Sequence, residues 1–167
     1  MREILFRGNR KGCGDWVYGF RAMREFKAPA IFVPSKKERL EYAEPFGVTY
    51  CVYPETVGQF TGVIDTELKP IYEGDIVRFL RYICKVIFEE GCFGLAININ
   101  DTFDWDYIDE EMKEYAGTNQ ITACFNDHFI SLWEILWNFN CYHNTCNVVE
   151  VIGNIHDNPE LLEVNHD

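Results

Sequence analysis

Three glycine-bearing motifs constrain the fold of this chain more than any other feature. Gln59-Phe60-Thr61-Gly62 leads into Tyr72-Glu73-Gly74-Asp75-Ile76-Val77-Arg78-Phe79, and Val151-Ile152-Gly153-Asn154 returns near the C-terminus. The apolar residues between the glycines recur at a spacing that sheets use, and the glycines stand where strands begin or turn. Gly74 offers backbone angles closed to residues with a side chain, and Asp75 is placed to accept from backbone N–H groups at the same corner. The alternation runs on through Tyr82–Phe88, Glu89-Glu90-Gly91 reverses the chain, and Cys92–Ile99 adds another strand. With a return strand over 147–152, the pattern predicts a small antiparallel SH3-like or partly open barrel, because closure removes unpaired sheet edges.

The N-terminal part is read the same way. Ile4 and Phe6, then Trp16 and Tyr18 after the glycine-rich 8–14 stretch, predict an opening β-hairpin. Ile31–Val33 and Val48–Tyr53 are extended runs, and 36–43 predicts a short helix before Pro45. The 54–62 segment is expected to be a shaped connection anchored by Phe60, and 65–69 a turn. Between the last two strands, an insertion at about 100–145 carries two helical patterns, 106–115 and 131–137. Ser131 and Glu134 have the spacing of a capping box, while Trp133 and Trp137 share a helix face that is expected to be core. The expected class is mixed, mainly β (α+β). Residues 1–62 form an N-terminal β-rich hairpin region with its connector, and 63–167 a barrel-like region with the helical insertion.

Composition excludes several other classes. Apolar residues make up 47% of 167 residues, with 13 Phe, 9 Tyr and 4 Trp, enough to fill a core without a metal or crosslink. No run approaches the roughly 20 apolar residues of a membrane span, and the opening MREILFRGNRKG has no secretory apolar segment. Seven cysteines without a repeated pairing pattern suit free thiols in a reducing compartment, so a cytoplasmic location and no membrane partner are expected. The net charge of −12 is uneven: residues 1–40 hold ten basic against four acidic residues, and 41–167 hold five against 23. An acidic body repels a phosphate backbone, whereas the basic first quarter suits the acidic part of another copy.

Few residues carry recognisable chemistry. The run from Asp101 to Glu114 holds seven carboxylates and one lysine without the glycine of a calcium loop, and reads as a solvated helix face with Asp104 and Asp106 favouring the helix start. Cys124, His128, Cys141, His143 and Cys146 are zinc-ligand residue types, but they fit the usual paired spacing only loosely, so free thiols and ordinary imidazoles are the favoured reading. Ser35 and Ser131 sit in a turn and at a helix cap, and no glycine-rich phosphate loop or metalloprotease motif is present. Tyr18, Phe20, Arg21 and Arg24 interleave aromatic and basic residues as a nucleic-acid stacking surface does, against the opposing net charge.

The two turn motifs, the close from Cys146 to Leu162 and the opening Arg2–Gly8 with Trp16–Gly19 together resemble the YopX family of phage and prophage proteins. The resemblance implies a protein of a bacteriophage or integrated element, acting inside a bacterial cell, β-containing and homo-oligomeric, with no established activity. It maps onto Gln59, Phe60, Thr61, Gly62, Tyr72, Glu73, Gly74, Asp75, Val77, Ile152, Gly153, Asn154, Asn158 and Pro159. The 63–70 stretch departs from it by lacking a glycine after its aspartate. Gln59, Thr61, Glu73, Asp75 and Asn154 are expected to line a seam between the turn-bearing loop and the return strand, fastening it internally or meeting a partner. The leading expectation is an accessory protein that binds an unknown phage or host protein and copies of itself, with no cofactor. A nucleic-acid-associated module is the alternative, and an enzyme comes third.

Overall fold

The computed structural model of the chain describes residues 4–23, 28–34, 47–98, 101–116, 127–141 and 144–163. The expected helix over 36–43 lies outside them. The chain divides into two units, Met1–Phe60 and Thr61–Asp167, with the division inside one strand.

In the first unit, β1 (Phe6–Asn9), β2 (Trp16–Met23), β3 (Pro29–Val33) and β4 (Val48–Cys51) form an antiparallel sheet in the order β4-β3-β2-β1. The opening hairpin pairs Phe6 with Gly19 and Asn9 with Trp16. The 54–62 segment departs from expectation. Pro54–Thr56 is a 3-10 turn and Gly58–Ile64 is a strand, β5, whose first residues pair with β1 through Phe6 and Gln59. Its glycines suggested a connection, but strand pairing on β1 outweighs their weak intrinsic preference. Thr56 fixes the turn: its hydroxyl donates to the Tyr53 carbonyl at 2.7 Å and accepts from the Asn9 N–H at 2.9 Å.

In the second unit, β7 (Asp75–Phe79), β8 (Tyr82–Glu89), β9 (Cys92–Ala96), β10 (Phe129–Ser131) and β11 (Val149–Asn154) form an antiparallel sheet in the order β10-β9-β8-β7-β11, and β6 (Pro70–Tyr72) neighbours β5. The return strand lies where the motifs predict, with Val149 opposite Phe79 and Val151 opposite Val77. β10 is an addition, because the insertion is expected to supply only helices, whereas Phe129–Ser131 extends the sheet beside β9. Gly94 allows that pairing, since a Cβ there would collide with the Phe129 ring and the Ile130 carbonyl.

The sheet does not close into a barrel. β10 and β11 end it on opposite sides, and among the described residues no ladder joins them. The 65–69 loop covers the β11 edge instead: the Thr66 N–H donates to the Val149 carbonyl at 3.1 Å, and the Val151 N–H donates to the Asp65 carboxylate at 2.9 Å. Closure is unnecessary where a loop already satisfies the edge.

The insertion packs on this sheet. α1 (Trp105–Ala116) places Ile108 and Met112, and α2 (Leu132–Asn138) places Leu132 and Ile135, in one core with Val77, Phe79, Val86, Leu95 and Val149. Phe79 meets Phe103 and Phe139 edge-on, at centroid distances of 6.5 and 5.7 Å. α2 carries the predicted capping box, with the Ser131 hydroxyl accepting from the Glu134 N–H and the Glu134 carboxylate accepting from the Ser131 N–H.

Candidate functional site

The corner formed by β6, β7 and β11 gathers most of the motif residues. Tyr72 is buried, and the chain turns through Glu73 and Gly74, where Gly74 has φ of 82°. An L side chain at that angle is strained, so the glycine is a requirement of the turn. The Asp75 carboxylate, 1% exposed, accepts from the Tyr72 N–H at 2.7 Å and locks the corner. Gly74 then bridges two neighbours, donating to the Val86 carbonyl at 2.9 Å and accepting from the Ile155 N–H at 3.0 Å.

Asn154 stands opposite Asp75 across the β7–β11 ladder, and its side-chain oxygen accepts from the His156 and Asp157 N–H groups, forming the next turn. Ile152 is the extra residue where the register shifts between Val151 and Gly153, and the backbone at Gly153 passes close against Asn158. The Thr61 hydroxyl donates to the Ile71 carbonyl at 2.9 Å and accepts from the Val63 N–H, tying β5 to β6 beside Gly62. Gln59 and Phe60 fall in the other unit, beside Phe6 and Leu5. The structure therefore brings Thr61, Tyr72, Glu73, Gly74, Asp75, Val77 and the Ile152–Asn154 corner into one unit. These bonds of Thr61, Asp75 and Asn154 hold the backbone of strands and turns.

Sequence reasoning missed Asp65. Its carboxylate is fully buried and accepts three backbone N–H groups, from Glu67 and Lys69 at 2.8 Å each on one oxygen and from Val151 at 2.9 Å on the other. The signal in the sequence was an aspartate at the head of a five-residue turn, which explains its first two bonds and gives no hint of the third.

The nucleic-acid candidates divide across the sheet. Tyr18 and Phe20 are two apart on β2 and share an exposed face, 51% and 37% accessible, whereas Arg21 points to the opposite face. A one-residue step in a strand reverses the side chain, so interleaving along the sequence separates aromatic from basic residues. Arg24 lies outside the described residues. Elsewhere in this unit the Arg7 guanidinium is 4.9 Å from the Trp16 ring centre and that of Arg10 is 4.4 Å from Tyr50.

The acidic run behaves as a helix start. The Asp104 carboxylate accepts from the Tyr107 N–H at 3.1 Å and from Arg81 at 2.8 Å, and these two contacts hold its carboxyl below the usual carboxylate range. Arg81 also lies over the Tyr107 ring at 3.9 Å, and Lys113 pairs with Asp109 one turn away. Among the described residues, no three His, Cys, Asp or Glu side chains are grouped to hold a metal ion. Of the zinc candidates, Cys124 and His143 lie outside the described residues, and the His128 ring is bonded to the Asp101 carbonyl at 2.7 Å. The half-buried Cys141 thiol donates to the Phe139 carbonyl at 3.9 Å, and Cys146 is a fully buried free thiol in the core.

Trp133 and Trp137 overturn the expectation of a core face. They are 66% and 68% exposed, with rings 5.8 Å apart and inclined by 33°. The buried stripe of α2 is instead Leu132 and Ile135, continued by Phe139, so the tryptophans lie on the outward side. Sequence spacing shows that the two rings share a face and leaves open which face the sheet covers.

The fold defines the class first: a mainly β α+β protein, built among the described residues of antiparallel sheets with two α-helices. Comparison with known proteins then places it, for the chain belongs to the YopX family, whose model, described as YopX protein, matches residues 6–163. Among solved structures, the chain is similar to protein EF1440 from Enterococcus faecalis, known from a crystal structure. The two share 18% identity with a TM-score of 0.49, covering 97% of this chain and 99% of that one. No curated protein matches. Among the described residues, no helix is long and apolar enough to cross a membrane.

Proposed function

We propose that this YopX-family chain is a bacteriophage or mobile-element accessory protein that works in the bacterial cytoplasm by protein–protein binding, with a second copy of itself as its first partner. The exposed Trp133–Trp137 pair carries the reading. Covering two-thirds of two indoles removes about 300 Å² of apolar surface from water, a gross gain on the order of 7 kcal/mol. Association costs on the order of 4–15 kcal/mol, so the pair anchors a larger interface and does not suffice alone. Residues 61–167 hold five basic against twenty acidic residues, and residues 1–60 hold ten against seven. Two acidic parts repel, so the favoured contact sets the tryptophan face of one copy against the basic part of another, head to tail.

Light scattering over a concentration series tests this. The wild type is expected to associate and the Trp133→Ser, Trp137→Ser double variant to stay monomeric with unchanged melting. A wild type that is monomeric at every concentration refutes self-association.

A nucleic-acid-associated module is favoured by one observation, the exposed Tyr18 and Phe20 on a common face of β2. Bases stack on such rings for roughly 1–3 kcal/mol each. Salt-sensitive binding of short single-stranded oligonucleotides, lost in Tyr18→Ala, supports it; no binding at low salt eliminates it.

A further inference from the structure

We propose that the receptor for the Trp133–Trp137 pair is the tip of the β1–β2 hairpin of a second copy, where Arg10 and Lys11 lie over Tyr50 and Tyr53; this rests on the self-association reading above. Backbone bonds build the tip. The Arg10 N–H donates to the Asp15 carbonyl at 2.8 Å and the Asn9 side-chain amide to the Gly14 carbonyl at 2.8 Å, which ties the turn between β1 and β2. Beyond β1, Arg10 bridges to Val52, the Lys11 N–H donates to the Cys51 carbonyl at 3.0 Å, and the Tyr53 N–H donates to the Asn9 carbonyl at 2.9 Å. Residues 9–11 and 51–53 therefore run antiparallel and set two cations beside two rings. The Arg10 guanidinium lies 4.4 Å from the Tyr50 ring centre and the Lys11 ammonium 5.7 Å from that of Tyr53.

Both cations remain accessible. Lys11 and Tyr53 are exposed, and the Arg10 side chain keeps 37% of its surface open. Asp15 stands 3.9 Å from Arg10, at the outer limit of an ion pair, and is itself well exposed, so it holds the guanidinium loosely. Arg7, by contrast, is buried over Trp16 and cannot reach a partner. A tyrosine ring lies against each cation at the tip, and the accessible side can take a second ring, for which indole is the best aromatic face. Resting the cations on tyrosines also lowers the ordering cost of association.

The indole pair offers the complementary surface. After Lys113 the chain has no lysine or arginine and eight Asp or Glu residues, so Trp133 and Trp137 stand in a stretch whose formal charges are all negative. Packing that stretch on an acidic surface brings like charges together. Arg10 and Lys11 supply the opposite charge and one cation for each indole.

Sedimentation velocity on the full chain and its variants tests the pairing. The Arg21→Glu control changes the net charge as much as the Arg10→Gln, Lys11→Gln double variant does, and it should associate like the wild type. The glutamine variant and the Trp133→Ser, Trp137→Ser variant should each stay monomeric. An equimolar mixture of these two should form a species of twice the monomer mass, because each supplies the surface that the other lacks. A glutamine variant that associates like the wild type, while the tryptophan variant does not, overturns this receptor and leaves the tryptophan anchor standing. Equal loss in Arg21→Glu, or a mixture that stays monomeric, also overturns it. A monomeric wild type removes the self-association reading and the receptor with it, and oligonucleotides bound through Arg10 and Lys11 in that case give these cations to nucleic acid. Should the glutamine variant fail to fold by circular dichroism, the wild type still decides. Raising the salt from about 0.05 to about 0.5 M should weaken its association on the order of tenfold, and insensitivity to salt overturns the pairing.

Discussion

Replacing Asp65 tests whether a loop substitutes for barrel closure in the second unit. Its carboxylate receives three backbone N–H groups at 2.8, 2.8 and 2.9 Å and is fully buried. A hydrogen bond to a charged group contributes about 1.5–3 kcal/mol. Asp65→Ala removes all three, and water entering the vacated space offsets part of the loss, so about 3–5 kcal/mol is expected. Asp65→Asn keeps an acceptor for Glu67 and Lys69 but turns an amide N–H toward Val151, giving one lost bond and about 1.5–3 kcal/mol. Domain stabilities are about 5–15 kcal/mol, so the alanine variant loses a large share. Urea titration followed by circular dichroism and tryptophan fluorescence reads this as a midpoint lowered by at least about 1 M, given slopes of about 1–3 kcal/mol/M. Amide exchange at Lys69 and Val151 should quicken in the alanine variant. An alanine variant within about 1 kcal/mol of wild type, or an asparagine variant as damaged as alanine, refutes the account of the covered edge.

Asp75→Ala is expected to cost about 1–3 kcal/mol by orphaning the buried Tyr72 N–H, measured by the same titration. An unchanged midpoint with lost self-association would instead place Asp75 at a partner. Ser131→Ala should cost about 1 kcal/mol through the lost cap of α2, with Ser131→Thr retaining most of the stability. The Cys141 thiol ionises at a lower pH in the folded chain than in the unfolded one, whose value lies near 9.0, so from about 7 to 9 the unfolded state binds more protons and stability rises with pH. Cys146 has the opposite sign: its folded value is raised, so its contribution is present below the unfolded value and declines above it. Thermal melting from pH 6 to 9 should show a rise between 7 and 9 that disappears in Cys141→Ser; a rise of equal size in that variant removes the thiol from the explanation.

What the sequence determined by itself is local. Gly74 and Asp75 specify a corner because φ above zero and a short carboxylate are properties of those two residues and their neighbours. Ser131 and Glu134 specify a helix start for the same reason, and the two-residue alternation of 76–88 and 149–151 sets which side chains share a face. Only the tertiary structure decided matters that depend on what lies opposite. Phe129–Ser131 becomes a strand because β9 offers an open edge, and 58–62 becomes one because β1 does. The α2 helix turns its tryptophans outward because Leu132 and Ile135 fill the space over the sheet. Asp65 acquires its third partner from residue 151, far along the chain. Local patterns carry conformational preference, whereas pairing and burial are set by the partner surface, which no single segment encodes.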